Sequence, residues 1–206
     1  MSGIVIIGAG QAGSSLAIKL RSLDYPGAIT LIGEEPYAPY QRPPLSKTYL
    51  LGEMALERLY LRPEELYRDQ NIELCLGTQV TAIDPVAGMI SLGAETVHYD
   101  QLALTTGSTP RLLPEAVGGR LKNVFAMRGL ADVDAMRPAF ERGGHVLIIG
   151  GGYIGLEAAA VAAKRGLKVT LVEMADRILQ RVACTETSDY FRELHLSHGV
   201  TLLEGV

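Results

Sequence analysis

Cysteine is scarce: Cys75 and Cys184 are the two in 206 residues. Neither a disulfide framework nor a paired CxxC metal site can be built from them. The four histidines, His98, His145, His195 and His198, form no metal-ligand constellation and read as structural or surface residues, so no metal site is expected. Positive charge is not in excess either. The formal net charge is −4 and the pI about 5.6, which is not the electrostatic footprint of a nucleic-acid binder. No apolar run approaches the roughly 18 residues of a membrane span. The first apolar run, Ile4 to Ile7, has no basic residue ahead of it and leads directly into glycines, unlike a secretory signal. A cytoplasmic protein is expected.

Apolar residues make up 48% of the chain, charged residues 20%, and there are 23 glycines, an ordinary balance for a Gly-rich α/β protein. The chain is also self-similar. Gly3–Leu20 reads GIVIIGAGQAGSSLAIKL and Gly144–Ala162 reads GHVLIIGGGYIGLEAAAVA. Each is a short apolar run, then G-x-G-x-x-G, then an alanine-rich helical pattern. Each is followed by a second apolar strand ending in acid, Ala28–Glu34 and Lys168–Glu173. Strand, helix, strand in that order is a βαβ unit with parallel strands. The fold class that follows is α/β, with two Rossmann-like dinucleotide-binding domains, 1–111 and 112–206.

Between the two units, Gln41–Lys47 (QRPPLSK) is a proline-punctuated loop, with Ser46 placed to cap a short helix near Lys47. A charged helical stretch is expected around Leu61–Asn71. Ile72–Tyr99 alternates with turn signals and reads as an antiparallel β-meander of the first domain. Leu102–Thr106 is a further strand. Ser108–Leu113 reads as the linker, Thr185–His198 as a helix, and Val200–Leu203 as a third strand of the second unit. A doubly wound domain normally has five or six strands, so the second domain is expected to be incomplete within this chain.

In the first fingerprint, Gly8 permits a tight turn, Gly10 lets a pyrophosphate approach the backbone and Gly13 lets helix pack on strand. The free N–H groups of the helix N-terminus suit phosphate. Glu34, about 20 residues on, is placed to accept from ribose hydroxyls, with Glu35 as its competitor. Gly150, Gly152 and Gly155, with Tyr153 and Ile154 between, repeat the pattern, and Glu173 is the matching acid. A carboxylate there favours a ribose 2′-OH and repels a 2′-phosphate, pointing to NADH over NADPH. Arg177 and Arg181 follow, however, and either could accept a 2′-phosphate.

GAGQAG, LIGEE, YQRPPLSK, LALTTGSTPR and VLIIGGGYIGLE occur in this order over almost the whole chain. The set resembles the FAD-dependent pyridine nucleotide-disulfide oxidoreductases of the glutathione reductase-like fold, in particular the NADH-dependent ferredoxin and rubredoxin reductases that feed oxygenases. The resemblance implies FAD contacts at Ala12, Glu34, Arg42, Lys47, Val80 and Arg128. It also places Thr106 and Gly107 near the flavin, in a motif where Thr105 replaces the usual alanine. The family's later Gly-Asp motif, which completes the flavin site, does not occur in these 206 residues.

Thiol-reducing members of this fold carry C-x-x-x-x-C just before P-S-K. Here the loop Arg42–Lys47 has no cysteine, and Cys75 and Cys184 read as packing residues. Without a thiol relay, the electrons must leave the flavin directly. The resemblance therefore implies hydride transfer from NADH to FAD and then single-electron release to a [2Fe-2S] ferredoxin serving an oxygenase. A rubredoxin- or nitrite-reductase-type flavoreductase, or a non-catalytic flavoprotein resembling apoptosis-inducing factor, are the alternatives. Lys47 and Glu157 are the expected catalytic pair: a cation beside the flavin, held by a carboxylate in the first turn of the second domain's helix. Arg58, Arg62 and Arg68 recur at roughly helical spacing, as a docking stripe for an acidic ferredoxin or as a solvated face.

Overall fold

The structure is a computed structural model and describes residues 3–206. Its contacts divide the chain into two compact units. One comprises the residues up to Gln41 together with Leu56–Thr109, and the other Arg42–Ala55 with Pro110–Val206.

In the first unit, β1 (Gly3–Ile7), β2 (Ala28–Ile32), β3 (Ile72–Cys75) and β7 (Gln101–Leu104) form a parallel sheet in the order β3-β2-β1-β7. The run from Ile4 to Ile7 is buried on both faces, the signature of a parallel strand covered above and below. Ile4 and Ile6 pack with Ala17 of α1 (Gln11–Ser22), Ile29, Leu31 and Tyr67. Val5 and Ile7 point the other way, to Ile32 and Ile90. Ile90 belongs to an antiparallel meander of β4 (Ala82–Asp84), β5 (Met89–Leu92) and β6 (Glu95–His98). The meander is thus shorter than expected from Ile72–Tyr99. Ile72–Cys75 pairs parallel with β2, because Ile72 and Leu74 bury on the α1 side. The helix expected over Leu61–Asn71 is reduced to α2 (Glu64–Asp69), which follows the extended Pro63. Arg21 ties this unit's lower loops together, donating to the carbonyls of Tyr25, Gly27, Gln70 and Asn71.

In the second unit, β8 (His145–Ile149), β9 (Lys168–Glu173) and β10 (Val200–Glu204) form a parallel sheet in the order β10-β9-β8. Helix α4 (Tyr153–Lys164) joins the first two strands and α5 (Thr185–Ser197) the last two. Before them comes α3 (Leu130–Arg142), a helix the sequence reading did not include. It buries Leu130, Val133, Met136 and Phe140, and the Asp132 carboxylate accepts the Gly129 N–H at 2.7 Å. Pro138 sits inside it.

Residues 42–55 fall with this second unit, not with residues 1–41 as the domain limits 1–111 and 112–206 had them. Polar contacts fasten them there. Arg42 Nη1 donates to the Arg128 carbonyl at 2.9 Å, Tyr49 Oη to Asp134 Oδ1 at 2.9 Å, and Arg165 Nη2 to the Leu51 carbonyl. Arg137 lies over the Tyr49 ring at 4.5 Å, and Lys164 pairs with Glu53 at 2.9 Å. Ser46 caps no helix. It ends a 3-10 turn, Pro43–Ser46, in which the two prolines preset the backbone.

Candidate functional site

The first fingerprint turn hangs on steric exclusions that only glycine meets. Gly8 has φ +111°, and a Cβ there would lie 2.2 Å from the Thr105 carbonyl oxygen. A Cβ on Gly13 would lie 2.1 Å from the Gly8 oxygen and 2.9 Å from Leu31, so glycine lets α1 lie against the strands. Gly10 differs. Nothing stands within 4 Å of its missing Cβ, so the backbone there is open to a ligand. Helix α1 then begins with no side-chain cap and no acidic residue in its first turn. Its leading N–H groups keep their partial positive charge for an anion. Ala12 is exposed in that turn.

Around this turn, Glu34 follows β2 with an exposed side chain, and no protein hydrogen bond to it is found among the described residues. Glu35 is engaged instead, accepting from the Tyr40 hydroxyl. Thr106 and Gly107 are exposed just past β7, at the same strand ends as Gly8. Val80 is half-buried and packs on the Val5 and Ile7 face of the sheet.

The second turn repeats the geometry. Gly150 has φ +108°, a Cβ on Gly155 would lie 1.9 Å from the Gly150 oxygen, and the space beyond Gly152 is clear to 4 Å. Tyr153 and Ile154 open α4 with exposed side chains. Glu173, at the end of β9, is aimed at the turn: its Oε2 accepts the Gly151 N–H at 2.6 Å and its Oε1 the Ala175 N–H at 2.8 Å. Of the two arginines, Arg177 is committed to its own loop, bonding Ser188 Oγ and the Ala183 carbonyl. Arg181 is exposed.

Lys47 and Glu157 meet in the second unit, Nζ to Oε2 at 2.8 Å, with side chains 46% and 31% exposed. Glu157 lies in the second turn of α4, not the first. Its carboxylate also accepts the Ser46 hydroxyl, and Lys47 Nζ donates to the Pro43 carbonyl at 3.1 Å. Two side chains of the PPLSK segment therefore converge on one carboxylate. Ser46 was legible only as a cap, since a contact over such a sequence separation leaves no local signal. Arg42 and Arg128 are joined in the same unit. Of the residues expected at FAD, Ala12, Glu34, Val80, Thr106 and Gly107 lie in the first unit; Arg42, Lys47 and Arg128 lie in the second.

Both cysteines are free. Burial, and then the Glu73 carboxylate, push the Cys75 thiol up from its ordinary value, which suppresses thiolate at neutral pH. Arg58, Arg62 and Arg68 are exposed but interleaved with Glu57, Glu64, Glu65 and Asp69, so the stretch has no net positive charge. Among the described residues no group of His, Cys, Asp and Glu is placed to hold a metal, and no helix is long and apolar enough to cross a membrane.

Comparison with known proteins identifies the family. Residues 2–206 match the family described as pyridine nucleotide-disulphide oxidoreductase. The ferredoxin reductase subunit of 5,5'-dehydrodivanillate O-demethylase from Sphingobium sp. is 46% identical over 198 residues, 95% of this chain and 48% of that protein. Putidaredoxin reductase of Pseudomonas putida is 42% identical over 205 residues, 98% of this chain and 49% of that protein. Among solved structures, the covalent putidaredoxin reductase–putidaredoxin complex superposes with a TM-score of 0.94 at 41% identity, covering 99% of this chain and 50% of that one. The chain spans about half the length of the curated relatives it matches.

Proposed function

The chain belongs to the pyridine nucleotide-disulphide oxidoreductase family, and from that premise we propose that it supplies the nucleotide sites of an FAD-dependent NADH:ferredoxin oxidoreductase. The residues fit two dinucleotides. Gly10 and Gly152 leave the backbone open where a phosphate must approach, and neither helix behind them carries an acid in its first turn. FAD belongs on the first turn, with Glu34 accepting from its ribose; NADH belongs on the second, with Glu173 facing the ribose 2′-OH. When bound, FAD supplies the chemistry of taking a hydride from NADH and releasing electrons singly.

The observation that carries the acceptor assignment is the makeup of the PPLSK segment. Ahead of this segment's end, where thiol-reducing relatives place an exchangeable disulfide, this chain has no sulfur; Lys47, which closes the segment, pairs with Glu157 at 2.8 Å. Cys75 is held protonated at the end of a strand. With no thiol to receive them, electrons pass to a one-electron [2Fe-2S] ferredoxin, a reading supported by the similarity to a protein named as a ferredoxin reductase subunit. Lys47 supplies a cation suited to stabilising charge that develops on hydride arrival, and Glu157 and the Pro43 carbonyl fix its ammonium. Two unpaired cysteines suit a reducing, cytoplasmic setting.

Stopped-flow mixing with NADH, followed by reoxidation with a [2Fe-2S] ferredoxin and with a rubredoxin, tests this. Rapid flavin bleaching and faster reoxidation by the ferredoxin are expected. Rapid bleaching with no fast iron–sulfur acceptor would overturn the ferredoxin assignment.

A further inference from the structure

In the first glycine turn, Thr105 follows β7 and reaches back under the turn. Its N–H bonds the Ile7 carbonyl at 2.8 Å, as the parallel ladder requires. Its hydroxyl does something further, lying 2.8 Å from the Gly8 carbonyl oxygen and 3.0 Å from that of Ile7. The same hydroxyl would stand 2.9 Å from a Cβ on Gly13. Thr105 Oγ1 therefore sits where strand end, turn and helix start converge.

We propose that Thr105 is a positioning residue for FAD, its hydroxyl latching the Gly8 carbonyl and so fixing the orientation of the peptide that opens the phosphate turn. A trans peptide sets its N–H opposite its C=O. Turning the Gly8 carbonyl toward Thr105 and Gly13 therefore turns the Ala9 N–H away from both. Gly8, at φ +111° and lacking a side chain, has little of its own to prevent that peptide from rotating. The hydroxyl supplies the missing restraint before the ligand arrives, which lowers the ordering cost of binding. The inference deepens the assignment of FAD to the first unit and rests on it. Alanine at this position would leave the Gly8 carbonyl without the latch, which gives a physical role to the threonine.

The test compares Thr105→Val, which keeps the shape and removes the hydroxyl, with Thr105→Ser, which keeps the hydroxyl. The purified protein is stripped to its apo form and titrated with FAD and, separately, with NAD⁺. Thr105→Val should raise the Kd for FAD about fivefold, the value of one neutral hydrogen bond. Thr105→Ser should stay within about twofold of wild type by the same reasoning, and NAD⁺ affinity should not move. A Thr105→Val protein with wild-type FAD affinity would overturn the latch, as would a serine variant no better than valine or a parallel loss of NAD⁺ affinity. A wild-type protein that takes up no FAD would instead sink the assignment of the first unit, and the latch with it.

Discussion

Replacing Lys47 by methionine removes a charge from a pair that is geometrically tight yet open to water. Nζ and Oε2 are 2.8 Å apart, but the side chains are 46% and 31% exposed. At that exposure an ion pair contributes about 0–1 kcal/mol to folding. Glu157 also keeps the Ser46 hydroxyl after the change, so its carboxylate is not left bare. Lys47→Met should therefore fold with a stability loss below about 1 kcal/mol. Under the proposed role its effect on flavin reduction should be larger, because a cation fixed in advance stabilises developing charge without having to reorganise. A rate loss of about a hundredfold, near 2.7 kcal/mol, is expected while FAD stays bound. Glu157→Gln keeps an oxygen for Ser46 and loosens Lys47 without discharging it, so it should slow reduction less and alter nicotinamide affinity. Single-turnover reduction by NADH, with flavin absorbance as the readout, separates binding from the transfer step. An FAD-loaded Lys47→Met protein that reduces at the wild-type rate would refute the electrostatic role. A loss of several kcal/mol in folding stability would show that the pair is structural.

Glu173→Ala should narrow the preference for NADH mainly by improving kcat/KM with NADPH, by about tenfold, since one repulsive charge is removed; a wild type preferring NADPH would refute the assignment. Arg177→Ala should lower the melting temperature and leave coenzyme preference alone, because its guanidinium is used by its own loop, whereas Arg181→Ala should weaken whatever NADPH activity exists. Replacing Cys75 by Ala and Cys184 by Ser should leave NADH-dependent flavin reduction intact, and a folded double variant that cannot be reduced would expose a redox thiol. Arg192, with the Ile178 N–H assisting, holds the Glu204 carboxyl below the usual carboxylate range. Its folded pKa being depressed, Glu204 contributes stability above its unfolded value of about 4.3 and loses it as pH falls through the folded value. Glu204→Gln should thus cost about 1–3 kcal/mol at pH 7, and its urea midpoint should converge with wild type on acidification; a gap that persists at low pH would refute the pairing.

The features legible in the sequence are those fixed by a residue's nearest neighbours. Gly8 and Gly150 carry positive φ, Gly13 and Gly155 face a carbonyl oxygen, and both needs are met within one strand–turn–helix unit. The run Ile4 to Ile7 could be assigned to a buried strand for the same reason. Alternation in Ile72–Cys75 identified a strand but not its partner. Ile72 and Leu74 would alternate identically in an antiparallel hairpin, and burial beside α1 decided for β2. Helix α3 has a mixed local signal, although Leu130, Val133, Met136 and Phe140 keep helical spacing. Pro138 removes the N–H that would bond Asp134, a local signal for a break, and tertiary burial of the apolar face overrides it.

The segment 42–55 is the instructive case, because its sequence neighbours and its structural partners differ. Prolines set the local turn at Pro43–Ser46, but a turn of that length buries too little to choose a surface by itself. The choice falls to side chains far along the chain: Asp134 and Arg137 at Tyr49, Lys164 at Glu53, Arg165 at Leu51, and Glu157 at Ser46 and Lys47. Each is a polar contact worth on the order of 1 kcal/mol or less, so no single one directs the segment. Together with buried Leu45, Tyr49 and Leu50 they do. The consequence is chemical. Lys47 and the carboxylate that fixes its ammonium are carried by one compact unit, so their separation is set by packing within that unit and does not depend on how the first unit is placed.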